Sequence, residues 1–258
     1  MKFLTYSLLL LTYLSASTLN LSMSSSLSRL NPILANDSAS SEISDWLFNG
    51  LFKYDKNGNP TVELAKSYNF ETPTKLIIKL REDVLWHDNV KLTSKDIIFT
   101  YEKIIDPKVF NSIKSNFQEV QSVKALDDYT IEVIYKNPYF KALETWMVGI
   151  LPYHLLKDEK DLMTSSFNKN PIGTGSYKIK EFKQGQDIEL LANDKYFEGK
   201  PKIDRILYKF LPDSNTSFLY LKQKKLDIGG LDPIQVDRQL DNNFRNNYTI
   251  MQKPSFSF

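Results

Sequence analysis

Few positions in this chain carry side chains suited to chemistry. Its histidines number two, His87 in Val-Leu-Trp-His-Asp and His154 in Leu-Pro-Tyr-His-Leu, and it has no cysteine. His87 stands beside Asp88, a pairing that could orient an imidazole as a general base. No Gly-x-Ser-x-Gly turn accompanies it to supply a nucleophile. His154 follows Pro152 near an expected helix start, and both histidines read as structural or solvated. Two imidazoles without a thiolate do not complete the usual four-ligand zinc set. The other conspicuous feature is the glycine pair of Asn-Pro-Ile-Gly-Thr-Gly-Ser-Tyr, residues 170–177. A phosphate cradle requires Gly-x-x-x-x-Gly-Lys-Ser/Thr opening a helix, so that amides, a lysine and the helix dipole converge on the anion. Gly173 and Gly175 lead instead into the alternating Tyr-Lys-Ile-Lys-Glu-Phe of a strand, which rules out that use. They are expected to form a structural bend. The acidic residues are scattered, with no carboxylate pair marked for hydrolysis, and elimination leaves a non-catalytic binder in front.

These residues must be positioned by a chain of 258 residues, 41% hydrophobic and 25% charged, which is enough for a large core. Lys+Arg 33 against Asp+Glu 31 leaves a net charge of +2, so no long-range field draws nucleic acid or an anionic membrane. Residues 1–17 begin with Lys2, run apolar from Phe3 to Leu14 and end in small residues, the pattern of a cleaved export signal rather than a membrane span. After it, Thr-Leu-Asn-Leu-Ser-Met (18–23) alternates as a strand, and Ser24–Ser40 reads as a loop. Ile43, Trp46, Leu47 and Leu51 share a helical face, predicting a helix from near Ser40. Asn57-Gly58 predicts a tight hairpin turn and residues 75–81 a strand. Thr93 and Asp96 stand at capping-box spacing ahead of a helix that Pro107 stops. Hairpins are predicted over 123–136, with an Asp127-Asp128 turn, and after the glycines, with a turn at Gln184-Gly185. A strand over 203–211, a capped helix from Ser214 and a short strand up to Gly230 follow. The order of elements has no regular strand–helix–strand rhythm, so the fold class is α/β in a mixed α+β arrangement.

Taken in order, several segments resemble one family. Ser28–Tyr68 contains a Leu-Asn-Pro loop and a first helix, and residues 76–107 contain Trp-His-Asp-Asn-x-x-Leu-Thr-x-x-Asp-Ile. Residues 170–213 contain Gly-Thr-Gly-Ser-Tyr and Asn-Asp-Lys-Tyr-Phe, and 221–231 contain Leu-Asp-Ile-Gly-Gly. Together they are similar to the N-terminal part of the large periplasmic solute-binding proteins of ATP-driven importers. This is the extracellular family 5, with dipeptide-, oligopeptide- and nickel-binding members. Asn89 stands where the family usually has Gly, Ser176 where it has Pro, and Phe197 where it has Trp.

The resemblance implies a hinged two-lobe clamp that closes on solute and docks on a membrane permease. It implies lobe I over 18–250 with an inserted subdomain at about 56–169, and a hinge into an absent lobe II from 251–258, so that the chain reads as a truncated product. It also implies a periplasmic monomer without cofactor, metal or nucleic acid, which on its own holds peptides weakly. Candidate ligand contacts are Leu30, Asn31 and Pro32 after the first strand; Asn111, Ser112 and Ile113 after the long helix; Trp146 and Met147; and the backbone at Thr174 and Gly175. Each has an alternative role in packing or in a solvated loop. Peptides are the expected solute. The alternatives are a nickel chelate or other small solute of the same family, an exported hydrolase using His87, and a chaperone-like apolar face.

Overall fold

The computed structural model describes residues 16–251. The expected export signal therefore falls almost wholly outside the described residues, as does the expected hinge beyond Met251. The elements run β1 Thr18–Met23, α1 Ser38–Leu47, β2 Phe52–Tyr54, β3 Pro60–Val62, β4 Ala65–Thr72, β5 Lys75–Leu80 and α2 Ser94–Ile105. They continue with β6 Val120–Asp127, β7 Thr130–Tyr135, α3 Tyr153–Leu156, β8 Tyr177–Lys183, β9 Asp187–Ala192 and β10 Arg205–Phe210. Helices α4 Ser214–Lys222, α5 Pro233–Arg238 and α6 Asn242–Asn247 close the order. The class is the expected mixture of α and β.

One four-stranded sheet has the order β1-β10-β9-β8, and a second has the order β4-β5-β7-β6. In the first, β1 lies parallel to β10 and the other neighbours are antiparallel. The second is antiparallel throughout and is built from residues that fall between β1 and β8. Strands β2 and β3 form a separate hairpin. Its turn works as the Asn-Gly pair predicts: Gly58 has φ +82°, and the Asp55 carboxylate accepts from the amides of Asn57 and Asn59 at 2.8 and 2.9 Å.

The helices follow from their caps and stripes. Asp37 accepts from the Ser40 amide at 2.7 Å, so α1 starts slightly before the Ser40 predicted, and Ala39, Ile43 and Leu47 are buried one turn apart. Asp96 accepts from the Thr93 amide at 2.8 Å to cap α2, whose Ile97, Phe99, Thr100 and Ile104 face the core. Two local expectations are corrected. The β6–β7 turn residues are Asp128 and Tyr129; Asp127 ends the strand and its carboxylate takes the Tyr129 amide at 2.7 Å. No strand forms over Leu226–Gly230. There the Asp227 amide donates to Asn20 O at 2.8 Å while its carboxylate receives the Asn20 amide at 2.6 Å, so a side chain takes the place of a backbone pairing partner.

A continuous core extends from Met23 to Tyr208 and includes both sheets, α1 and α2. Leu211, Phe218, Leu221, Leu226 and Phe244 form a smaller cluster under the last helices. Among the described residues no helix is long and apolar enough to cross a membrane.

Candidate functional site

The glycine pair answers to helix α1. A Cβ on Gly173 would stand 1.7 Å from the Leu47 carbonyl oxygen, and one on Gly175 would stand 2.2 Å from that of Trp46. Neither glycine has a positive φ. They are glycines because two backbones touch, not because the chain turns left-handed. The Gly175 amide donates to Leu47 O at 2.8 Å, and the Thr174 hydroxyl donates to Asn49 Oδ1 at 3.0 Å. Tyr177 packs behind them, edge-on to Trp46 at 5.2 Å. The segment is the structural bend expected.

His87 locks that bend. Its Nδ1 accepts from the Gly173 amide at 3.2 Å, which leaves the proton on Nε2 to be donated to Gly175 O at 3.1 Å. Burial lowers its pKa to about 4, against the partial compensation of the Gly175 bond. A neutral imidazole with both nitrogens engaged has none left to act as a base. His154 pairs with Asp88 through Nε2 at 2.8 Å. Among the described residues no group of three His, Asp or Glu is placed to hold a metal ion.

Beyond the C-terminal half of α1 lies a cavity of about 530 Å³. Ser41, Ser44, Asp45 and Phe48 form the helix wall, Phe52, Lys53 and Tyr54 the β2 wall, and Glu144, Thr145 and Met147–Gly149 with Ile113 and Phe117 a third side. Of the candidates taken from sequence, Pro32, Ile113 and Met147 line it. Leu30, Asn31, Trp146 and Thr174 are fully buried elsewhere, and Gly175 is buried against α1. Asn31 braces its own loop by donating to Asn168 Oδ1 at 3.0 Å and accepting from the Ile33 amide at 3.2 Å. Trp146 donates its indole N–H to the Tyr135 hydroxyl at 3.0 Å. Asn111 closes the turn after α2 by donating to Ile104 O and Val109 O, and Ser112 is exposed ahead of the Ile113–Phe117 turn.

The ionisable residues of the cavity were not singled out from sequence. Ser41, Ser44, Asp45 and Phe48 recur at helical spacing beside the apolar stripe of α1, which is the signal that could have found that wall. Glu63 reaches the cavity only because the β2–β3 hairpin folds back. Its carboxylate accepts from Asn49 Nδ2 at 3.0 Å and the Gly50 amide at 3.1 Å, and Lys53 Nζ lies 3.7 Å away. Burial is the largest influence on Glu63 and pushes its pKa up. Lys53 also reaches Glu198 at 2.7 Å. Asp45 is exposed on one side, yet protein crowding around its carboxyl, and secondly the Glu42 charge, push its pKa up as well. A larger groove of about 1160 Å³ lies beside α5 and α6, but its wall includes Met251, the last described residue. The cavity at α1 is lined wholly by residues well inside the described range.

Residues 59–257 match the family described as bacterial extracellular solute-binding proteins, family 5, middle region. The oligopeptide-binding protein AppA of Bacillus subtilis is 36% identical over 202 residues, covering 74% of this chain and 36% of the relative. The crystal structure of NikZ from Campylobacter jejuni, in complex with Ni(L-His), superposes with a TM-score of 0.81 at 34% identity. That superposition covers 91% of this chain and 46% of NikZ. The structure of Bacillus subtilis AppA in complex with a nonapeptide gives a TM-score of 0.76 at 32% identity, over 81% of this chain and 43% of AppA. The chain thus spans about a third of the length of the curated relative and less than half of each solved one. The match over most of its length, in sequence and in fold, places this chain in family 5 of the bacterial extracellular solute-binding proteins.

Proposed function

We propose that this chain belongs to the solute-capturing component of an ATP-binding-cassette importer and supplies one wall of its solute site, with peptides as the solute. The observation that carries the reading is the 530 Å³ cavity beside α1, enclosed between the helix, the hairpin and the segment around Met147, in a chain of this family. In the whole protein the opposing wall would close over bound solute, and the closed form would dock on a membrane permease. Residues 18–250 act as one lobe with residues 56–169 inserted, residues 1–17 direct export to the periplasm, and the protein works as a monomer that binds without catalysis. Pro32, Ile113 and Met147 contact solute directly, while Leu30, Asn31, Trp146, Thr174 and Gly175 hold the wall in shape.

A nickel chelate is the second reading, favoured by the superposition on NikZ. Both are tested by titrating the isotope-labelled 258-residue protein with a tripeptide and, separately, with nickel–histidine, following the backbone amides by NMR. Tripeptide binding shifts the amides of Asp45, Lys53 and Met147 at millimolar concentration, because a single wall gathers only part of the contacts of a closed site. Shifts with nickel–histidine alone would move the assignment to the chelate. No movement at these amides with either would refute the site.

A further inference from the structure

Asparagine followed by glycine occurs twice in the chain, at Asn49-Gly50 and Asn57-Gly58. The pair is chemically labile, because a glycine nitrogen with no Cβ beside it can attack the preceding carboxamide carbon. The fold gives the two pairs opposite surroundings. Asn49 and Gly50 are buried. The Asn49 carboxamide accepts from Thr174 Oγ1 at 3.0 Å and donates to Glu63 Oε1 at 3.0 Å and the Tyr196 hydroxyl at 3.1 Å. The Gly50 amide donates to Glu63 Oε2 at 3.1 Å, and a Cβ on Gly50 would meet the Met147 backbone at 2.7 Å. Each group that would have to react is held in place. Asn57 and Gly58 are exposed in the β2–β3 turn, and a Cβ on Gly58 would meet nothing within 4 Å. Asp55 restrains them. Its carboxylate takes the Asn57 and Asn59 amides at 2.8 and 2.9 Å, and its carbonyl takes the Gly58 amide at 3.0 Å. The strands that carry this turn have 3 residues each and form a sheet of their own, so opening the turn breaks no ladder of either four-stranded sheet.

We infer that Asn57 is a site of spontaneous deamidation in the folded protein, and that the Asp55 clasp sets its rate. While the clasp is closed, the Gly58 nitrogen is held by Asp55 O, so the reaction runs from the open turn. That nitrogen gives its proton to solvent base and bonds to Asn57 Cγ. The Cγ–Nδ2 bond breaks, ammonia leaves, and a succinimide ring is closed. Water then adds to either ring carbonyl. Cleavage of the new Cγ–N bond yields aspartate, and cleavage of the original peptide bond yields isoaspartate, whose main chain runs through Cγ. The net change is carboxamide plus water to carboxylate plus ammonium. Both products place a further carboxylate beside Asp55. Isoaspartate also lengthens the turn by a methylene, so the pairing of Tyr54 with Pro60 and Lys53 with Thr61 has to be remade. The same hairpin supplies Phe52, Lys53 and Tyr54 to the cavity wall and leads into Glu63, and the modification therefore reaches the cavity through the backbone.

The test incubates the 258-residue protein at mildly alkaline pH, folded and in urea, and maps it by peptide mass, with isoaspartate resolved by chromatography. In the folded protein Asn57 converts and Asn49 stays intact, whereas in urea the two convert at similar rates. Asp55→Ala raises the folded-state rate at Asn57 about fivefold, the factor that goes with losing hydrogen bonds at an exposed turn. Asp55→Asn, which keeps an acceptor oxygen, falls between the parent and the alanine variant. As conversion proceeds, the Lys53 and Glu63 amides acquire second NMR signals, and Asn57→Gln prevents them. Asn49 converting as fast as Asn57 in the folded protein overturns the site, as does an intact Asn57 when the urea sample has converted. Equal rates in the parent and both Asp55 variants overturn the clasp. Conversion without movement of the Lys53 and Glu63 amides overturns the link to the cavity. Unchanged amide signals of β5 and β7 confirm that each variant keeps its fold. The solute-binding reading stands or falls separately.

Discussion

His87 shows how one side chain ties a distant loop to a helix. The ring is buried and neutral, bonded to Gly173 and Gly175, while the glycines lie on the carbonyls of Trp46 and Leu47. Its pKa is about 4 when folded, against 6.5 for a free imidazole, so between those values the unfolded chain binds a proton that the folded chain refuses. Its contribution is complete above pH 6.5 and is lost as pH falls toward 4. The full span corresponds to about 3 kcal/mol. Urea unfolding at pH 7 and pH 4.5 checks this: the parent loses stability on acidification, and His87→Gln, less stable at neutral pH, loses less. The glycines give a sharper contrast. Gly173→Ala drives a Cβ into the Leu47 carbonyl at 1.7 Å, and the loss should exceed about 3 kcal/mol or prevent folding. Gly58→Ala meets no atom within 4 Å but keeps a φ of +82°, so it should cost only about 1 kcal/mol. Thermal denaturation of the two variants side by side decides between crowding and backbone strain. Asn89, in place of the glycine usual in the resembled motif, fits the same logic, because its φ of 71° is one that asparagine tolerates.

Among the elements, α2 and α3 share a cap. Asp96 accepts from the Thr93 amide ahead of α2 and from the Tyr153 amide at the start of α3, both at 2.8 Å. It is almost fully buried, so no water replaces it when it is removed. Asp96→Ala should therefore cost about 3 kcal/mol, more than the loss of one exposed cap, as read from chemical denaturation. The first half of this cap was visible in sequence as Thr93 and Asp96 three residues apart; the second half was not, because Tyr153 lies 57 residues on. The same division holds for the fold. Helices α1, α2 and α4, the hairpins β2–β3, β6–β7 and β8–β9 and the edge strand β1 follow from spacing and turn chemistry, whereas β4, the partner of β5, went unmarked. Helix α3 was expected only as a start after Pro152, and α5 and α6, at 6 residues each, are too short to display a period. The expected strand at Leu226–Gly230 fails because the Asp227 carboxylate, not another strand residue, satisfies Asn20. The candidate site was legible to a similar extent. The loop at Pro32 and the segments at Ile113 and Met147 do reach the cavity, while Trp146 and Asn31 are absorbed by packing and by internal hydrogen bonds. Its carboxylates were hidden because Asp45 and Glu144 are brought to one space by tertiary structure alone.

On the scale of the molecule, stability is unevenly shared. The main core gathers residues from Met23 to Tyr208, whereas the helices after β10 rest on the cluster of Leu211, Phe218, Leu221, Leu226 and Phe244. Native-state hydrogen exchange should show the amides of α4–α6 opening at lower free energy than those of β5, β7 and β9. Equal protection throughout would mean that the two clusters unfold as one. The parallel pairing of β1 with β10 carries a further consequence. Thr18 is in register with Arg205, and Ser17 is tied to Asp204 across 187 residues of chain. Among the described strands β1 has no sheet neighbour until β10 has been made. Nascent intermediates therefore carry an unengaged leading strand throughout the synthesis of the residues between β1 and β10.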